Sequence, residues 1–94
     1  MSSVKEKLPE LVAELTDAAT MYAMVPVFHE AAQVLFAYAE RVHALGAGAD
    51  DSRAVITALT SMAQEADERA LREASGPREG HRKAAGILHW FLDR

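Results

Sequence analysis

A row of mainly polar side chains along the second helical segment is the clearest candidate for metal chemistry. His29, Gln33, Phe36, Glu40 and His43 follow one another at steps of four, three, four and three residues, which places them in one stripe of a helix. Glu40 and His43 form a Glu-x-x-His pair, the spacing by which helical bundles present a carboxylate and an imidazole to a metal ion. We therefore consider His29, Glu40 and His43 a candidate site for a divalent metal or a small ligand.

The simpler interpretation of this stripe is amphipathic packing. Histidines at the border of an apolar helix face usually lay their rings against the core and keep their nitrogens in water. Bundle metal sites also need further carboxylates that point inward, and the acidic residues Glu10, Glu14 and Asp17 lie opposite the apolar face of the first helical segment. We therefore expect no cofactor, and a divalent metal is the alternative.

Basic residues cluster where the last helical segment begins. Arg78, Arg82 and Lys83 fall within a six-residue span that follows Gly76 and Pro77. The N-terminus of a helix carries partial positive charge, so basic side chains placed there can hold a phosphate or a carboxylate. These three residues are a candidate anion site, and ion pairs with nearby acidic residues are the simpler alternative.

The residue composition argues against catalysis. The 94 residues include no cysteine, which excludes disulfides, thiolate metal sites and cysteine nucleophiles. Ser52, Ser61 and Ser75 have no histidine at a predictable helical spacing, and no glycine-rich loop follows a strand. We therefore expect a protein that is not an enzyme.

The charge and hydropathy patterns bear on partners and location. The net charge is -4, and acidic and basic residues alternate without long blocks of one sign. Nucleic acids and anionic membranes require a broad basic surface, so neither is an expected partner. No stretch has the apolar length of a signal peptide or of a membrane span, which predicts a cytoplasmic protein.

Four helices are expected to position these side chains. Alanine is abundant, β-branched residues are scattered, and no stretch alternates with period two. Glycines within residues 45–52 mark a break that leads to the N-cap candidates Asp50, Asp51 and Ser52, and residues 75–77 form a second break. With such short connections, sequential helices should pack antiparallel. The sequence predicts one all-α domain, residues 1–94, forming a small antiparallel four-helix bundle with helices over about 4–24, 26–45, 52–74 and 77–92.

Pro26 decides whether the first half of the chain is one helix or two. A proline inside a helix lacks the amide hydrogen, its ring collides with the carbonyl of Tyr22, and it moves Val25 away from helical angles. In one continuous helix, the apolar stripes before and after Pro26 would lie about 160° apart. We therefore predict a corner at Met24 to Pro26. The alternative is a kinked long helix in an intertwined dimer.

Two places carry more apolar surface than one small core needs. The apolar arc of the fourth helical segment, which includes Ile87, Trp90 and Phe91, covers about 220°. Met21 and Met24 fall on the otherwise polar side of the first segment. Such a surplus predicts a protein partner, most simply a second copy across a two-fold axis. We interpret the chain as a non-catalytic, self-associating protein interaction or regulatory module, with a metal- or small-ligand-binding bundle as the alternative.

Overall fold

A computed structural model describes residues 4–48 and 51–93, and helices account for nearly all of them. The helices are α1 Val4–Ala23, α2 His29–Gly48, α3 Ser52–Arg72 and α4 Ser75–Leu92, and the 3-10 turn Pro26–Phe28 precedes α2. They pack as an antiparallel four-helix bundle, which confirms the fold class predicted from the sequence. Within the described ranges, no helix has both the length and the apolar character needed to cross a bilayer.

The corner predicted at Pro26 is present. α1 ends at Ala23, and Val25 has the extended backbone, with φ of -114° and ψ of 115°, that a residue before proline prefers. Pro26 then opens the 3-10 turn, where its missing amide hydrogen removes no helical hydrogen bond. The rings of Tyr22 and Phe28 close the corner, with centroids 5.1 Å apart. The chain therefore reverses direction here instead of continuing as one rod.

The ends of α2 and α4 extend beyond the predicted ranges. α2 continues past Leu45 through Gly46 to Gly48, and neither glycine takes a positive φ. Gly46 packs beside Leu8 of α1, where an added Cβ would lie 3.6 Å from the leucine Cδ1. α4 begins at Ser75, ahead of the predicted start at residue 77.

Asp51 supplies the N-cap of α3. Its Oδ1 accepts a hydrogen bond of 2.8 Å from the backbone amide of Ala54, which satisfies one of the unpaired amides at the start of the helix. Ser52, another predicted cap residue, is the first residue of the helix itself, and Asp50 lies outside the described residues. The carboxylate of Asp51 therefore caps the N-terminus of α3.

α2 and α4 form a close pair at the centre of the bundle. α1 packs mainly on α2 and α3 mainly on α4, whereas α2 and α3 hardly touch although they are sequential. Gly80 allows the close approach, because a Cβ there would lie 2.7 Å from both the carbonyl oxygen of Ala31 and the Cβ of Val34. All four helices contribute to the core, whose largest fully buried side chains are Leu11, Leu15, Leu35, Val42, Val55, Leu59 and Leu88.

Candidate functional site

The outer groove between α1 and α4 gathers three of the five residues predicted to contact a partner. Met21 is 70% exposed and Trp90 is 49% exposed, and Ile87 is half-buried between them. Met21 and Ile87 border a hollow of about 240 Å³, and Ile87 and Trp90 border a second hollow of about 390 Å³. We call this surface the α1/α4 face.

The other two predicted contact residues lie elsewhere. Phe91 is only 6% exposed and belongs to the hydrophobic core, so it is not available to a partner. The reason is that α4 packs against all three other helices and needs a wide apolar arc within the monomer. Met24 is 78% exposed, but it lies in the corner beside Val25 and Val27 and borders neither hollow of the α1/α4 face.

Charges on the α1/α4 face are largely separated by helix. Glu14 and Asp17 line it from α1, and Arg82 and Lys83 line it from α4 together with one acidic residue, Glu79. Lys83 borders both hollows together with Glu14, which shows that the acidic and basic residues lie at the same height along the bundle. The α1 edge of the face is therefore acidic, the α4 edge is basic apart from Glu79, which accepts a hydrogen bond from Tyr22, and apolar residues lie between the two edges.

A tyrosine and a glutamate form a hydrogen bond across one end of the α1/α4 face. The hydroxyl of Tyr22 on α1 donates a hydrogen bond of 3.0 Å to Oε1 of Glu79 on α4. Burial, together with the Glu79 carboxylate, raises the pKa of Tyr22. The bond fixes α1 against the first turns of α4, so the two edges of the face are held together within one chain.

The residues of the predicted anion site have different neighbours. Nε of Arg78 donates a hydrogen bond of 3.1 Å to the backbone carbonyl of Glu73, just after α3 ends. Arg82 and Lys83 instead line the larger hollow of the α1/α4 face. Arg78 thus serves the connection between α3 and α4, and an anion site on all three residues stays a prediction.

A second groove follows the outside of the α1/α2 hairpin, and we call it the α1/α2 furrow. Its larger part is a cleft of about 730 Å³ with Pro9 and Val42 among its lining residues. An adjoining cleft of about 420 Å³ is bordered by Phe36, and both clefts share Val12 and His43. The larger cleft has the volume and the mainly apolar lining that are typical of small-molecule sites.

The residues of the predicted metal site meet only in part. Glu40 and His43 both border the α1/α2 furrow, whereas His29 lies at the first residue of α2, about 16 Å from Glu40 along the helix axis. Over the described ranges, no three His, Asp or Glu side chains converge closely enough to hold a metal ion. No third side chain of these types among the described residues therefore completes a metal site on Glu40 and His43, and that site stays a prediction.

The most buried polar contact joins Tyr38 of α2 to His81 of α4. The tyrosine oxygen lies 2.8 Å from His81 Nδ1, and the two rings meet edge to face. His81 is 4% exposed, and among the described residues it is the only buried side chain that is polar or charged apart from the tyrosine. Burial lowers the pKa of His81 and raises the pKa of Tyr38 to about 12. Both groups are therefore neutral at pH 7.

Arg41 connects this pair to α3. Its guanidinium donates hydrogen bonds of 2.8 and 3.2 Å to the carboxylate of Glu65, and its Cζ lies 5.5 Å from the ring centroid of Tyr38. The bidentate contact with Arg41 holds the pKa of Glu65 below its usual range. This contact joins α2 to α3, where the two helices have little other contact.

Arg69 of α3 and Glu73, just after the end of α3, complete the surroundings of His81. Arg69 lies 3.3 Å from Glu73 and 3.8 Å from Glu65, and Nε2 of His81 lies 3.9 Å from the carboxylate of Glu73. Because Nε2 faces a carboxylate, we infer that it carries the proton and that Nδ1 accepts the hydrogen bond from Tyr38. The charges here are paired with one another, so we interpret the cluster as structural.

The sequence contains a signal for the burial of His81 but none for its partner. His81 is one turn before Ala84 and Ala85 and two turns before Leu88, the spacing of residues that share the core side of a helix. Tyr38 is separated from it by 43 positions, and no local spacing connects them. The helical wheel could have placed the histidine in the core, but only the tertiary structure identifies the tyrosine.

These three regions differ in the kind of surface that each presents to a partner molecule. The cluster around His81 satisfies its own polar groups, the α1/α2 furrow presents a mainly apolar groove, and the α1/α4 face combines an exposed tryptophan with separated charges. Comparisons of this chain with models of known protein families, with curated proteins and with solved structures find no match.

Proposed function

We propose that this protein is a non-catalytic interaction module that associates with a second copy of itself through the α1/α4 face. The observation that carries the proposal is the position of Trp90, which is half exposed beside Ile87 and on the same groove as Met21. Completing the burial of partly exposed apolar side chains stabilises a complex, and tryptophan is prominent at the energetic centres of interfaces.

The arrangement of polarity supports the same function. Protein interfaces commonly have an apolar centre and a charged rim, and the α1/α4 face has Glu14 and Asp17 on one rim and Arg82 and Lys83, with Glu79 beside them, on the other. A surface that carries both charge signs can pair with an identical surface, which is the requirement for a two-fold dimer. This requirement favours a second copy as the partner.

Replacing Trp90 by alanine tests the proposal. We expect the wild type to sediment as a dimer and Trp90→Ala to weaken the dimer by at least tenfold in Kd, because truncating a central aromatic residue commonly costs about 2 kcal/mol or more. Sedimentation equilibrium measures both constants. Leu71→Ala is the matched control, since Leu71 is an apolar side chain of α3 that is 84% exposed.

Two results would contradict this proposal. The first is a wild type that stays monomeric at several hundred micromolar. The second is a Trp90→Ala variant that dimerises as tightly as Leu71→Ala. Circular dichroism of each variant at the same concentration checks that the helices are retained, so that unfolding is not mistaken for loss of the interface.

A second candidate function is the binding of a small, mainly apolar ligand in the α1/α2 furrow. The specific observation that favours it is the larger cleft of about 730 Å³, which brings His43 beside apolar residues of both helices. Imidazole can supply the polar contact that orients a ligand in an otherwise apolar pocket. This candidate does not depend on a metal.

Native mass spectrometry of the untagged protein tests this second candidate. We expect a discrete additional mass on the purified wild type, and we expect it to be lost from His43→Ala because the polar anchor of the ligand is removed. Trp90→Ala is the control that leaves the furrow intact. A wild type that carries no additional mass after purification, or a mass that persists in His43→Ala, would refute this assignment.

A further inference from the structure

The geometry points to a specific arrangement of the dimer, an inference that rests on the proposed self-association. We infer that the two-fold axis runs parallel to the helices, so that α1 of each copy packs against α4 of the other. The acidic edge formed by Glu14 and Asp17 then faces the basic edge formed by the partner's Arg82 and Lys83, and this contact occurs twice.

This orientation follows from the positions of the charges. The acidic edge on α1 and the basic edge on α4 lie at the same height, because Glu14 and Lys83 border the same two hollows. A two-fold axis parallel to the helices preserves height and exchanges the two edges, so opposite charges meet. A two-fold axis across the helices keeps α1 over α1 and α4 over α4, which brings like charges together. Juxtaposed like charges disfavour that second arrangement.

Gly86 supplies an independent observation for the same contact. It lies in the middle of α4, where glycine is less favourable than alanine, and it is exposed. Unlike Gly80, it has no packing reason within the monomer, since an added Cβ would contact nothing within 4 Å. Gly86 lines the larger hollow between Arg82 and Trp90, at one helical turn from each. A missing side chain there lets a second molecule approach the helix closely.

Charge reversal of each edge tests the arrangement. One variant carries all four substitutions, Glu14→Lys, Asp17→Lys, Arg82→Glu and Lys83→Glu, so that the acidic and basic edges exchange helices. We expect this variant to dimerise with itself, because its basic α1 edge faces the acidic α4 edge of the second copy. It should form no heterodimer with the wild type, because edges of like charge would then face each other, whereas a two-fold axis across the helices would favour that heterodimer.

Native mass spectrometry of an equimolar mixture distinguishes these species, since the variant and the wild type differ in mass. A wild type that is itself monomeric would contradict both the proposed function and this inference. A dimeric wild type that forms a heterodimer with the charge-exchanged variant, or a charge-exchanged variant that stays monomeric, would overturn the arrangement and leave self-association standing. Far-UV circular dichroism checks that the variant keeps its helices.

A further variant, Gly86→Gln, tests the contact through the Kd of the dimer and separates loss of binding from loss of folding. Glutamine is a better helix former than glycine and extends into the hollow, so we expect the Tm of the monomer to stay the same or rise while the Kd of the dimer increases at least tenfold. Ala44→Gln is the matched control on an exposed position of α2. An unchanged Kd for Gly86→Gln would mean that this position lies outside the contact.

Discussion

Gly80→Ala is expected to lower the free energy of unfolding by about 2 kcal/mol. The new methyl group would lie 2.7 Å from the carbonyl oxygen of Ala31, 2.7 Å from the Cβ of Val34 and 3.0 Å from the Cα of Ala31. Two of these atoms belong to the backbone of α2, so a side-chain rotation cannot relieve the contact. α2 and α4 would have to move apart at the centre of the bundle, and the packing of both would be weakened.

Urea denaturation measures this effect, and Gly86→Ala is the matched control on the same helix. A Cβ at Gly86 contacts nothing within 4 Å, so alanine there should raise the free energy of unfolding by about 1 kcal/mol through helix propensity alone. Both measurements are made at protein concentrations low enough to keep the chain monomeric. A Gly80→Ala variant as stable as Gly86→Ala would show that α2 and α4 are not in close contact at Gly80.

Local sequence signals were sufficient to predict the helices and the corner. Pro26 alters hydrogen bonding and backbone angles over its immediate neighbours, and Asp51 caps the helix that begins one residue later. The close packing of α2 on α4 was not predicted, because the expectation relied on short connections between sequential helices. A glycine at position 80 is compatible with many environments, and only the tertiary structure shows that it faces Ala31.

The sequence also predicted part of the candidate surface, the α1/α4 face. Amphipathic patterns indicated surplus apolar residues on α1 and α4, and the structure brings Met21, Ile87 and Trp90 to one groove. The same patterns could not separate Trp90 from Phe91, because both lie in one wide arc and the number of neighbouring helices decides which becomes buried. The amphipathic pattern thus gives the width of an apolar arc, and packing determines how it is divided between core and surface.

The buried histidine makes the bundle sensitive to acid, and this is the second large effect we expect. His81 has a pKa near 6.5 in the unfolded chain, and in the folded chain burial, and then the charge of Arg69, lowers it. Glu73 and Glu65 act in the opposite direction without cancelling the decrease. Protonation would place a second positive charge near Arg69 and would remove the acceptor that Nδ1 offers to Tyr38.

The sign of the effect follows from proton binding. Between the lowered pKa of the folded state and about pH 6.5, the unfolded chain binds more protons than the folded chain. The free energy of unfolding therefore keeps the full contribution of His81 above about pH 6.5 and falls as the pH decreases through this window. One proton changes it by at most about 1.4 kcal/mol per pH unit. Glu65, whose pKa is also lowered in the folded chain, adds a similar loss only at lower pH, near the range where carboxylates titrate.

Urea denaturation from pH 8 to pH 5 measures this dependence, and His81→Asn provides the comparison. The asparagine Oδ1 can accept the hydrogen bond from Tyr38 in place of Nδ1, but the side chain does not titrate. We expect the slope below pH 6.5 to be clearly smaller in His81→Asn, because the two proteins differ only at this side chain. NMR titration of the His81 ring gives its pKa directly. Equal slopes in the two proteins, or a His81 that titrates at or above 6.5, would show that burial of its neutral ring does not govern the acid sensitivity.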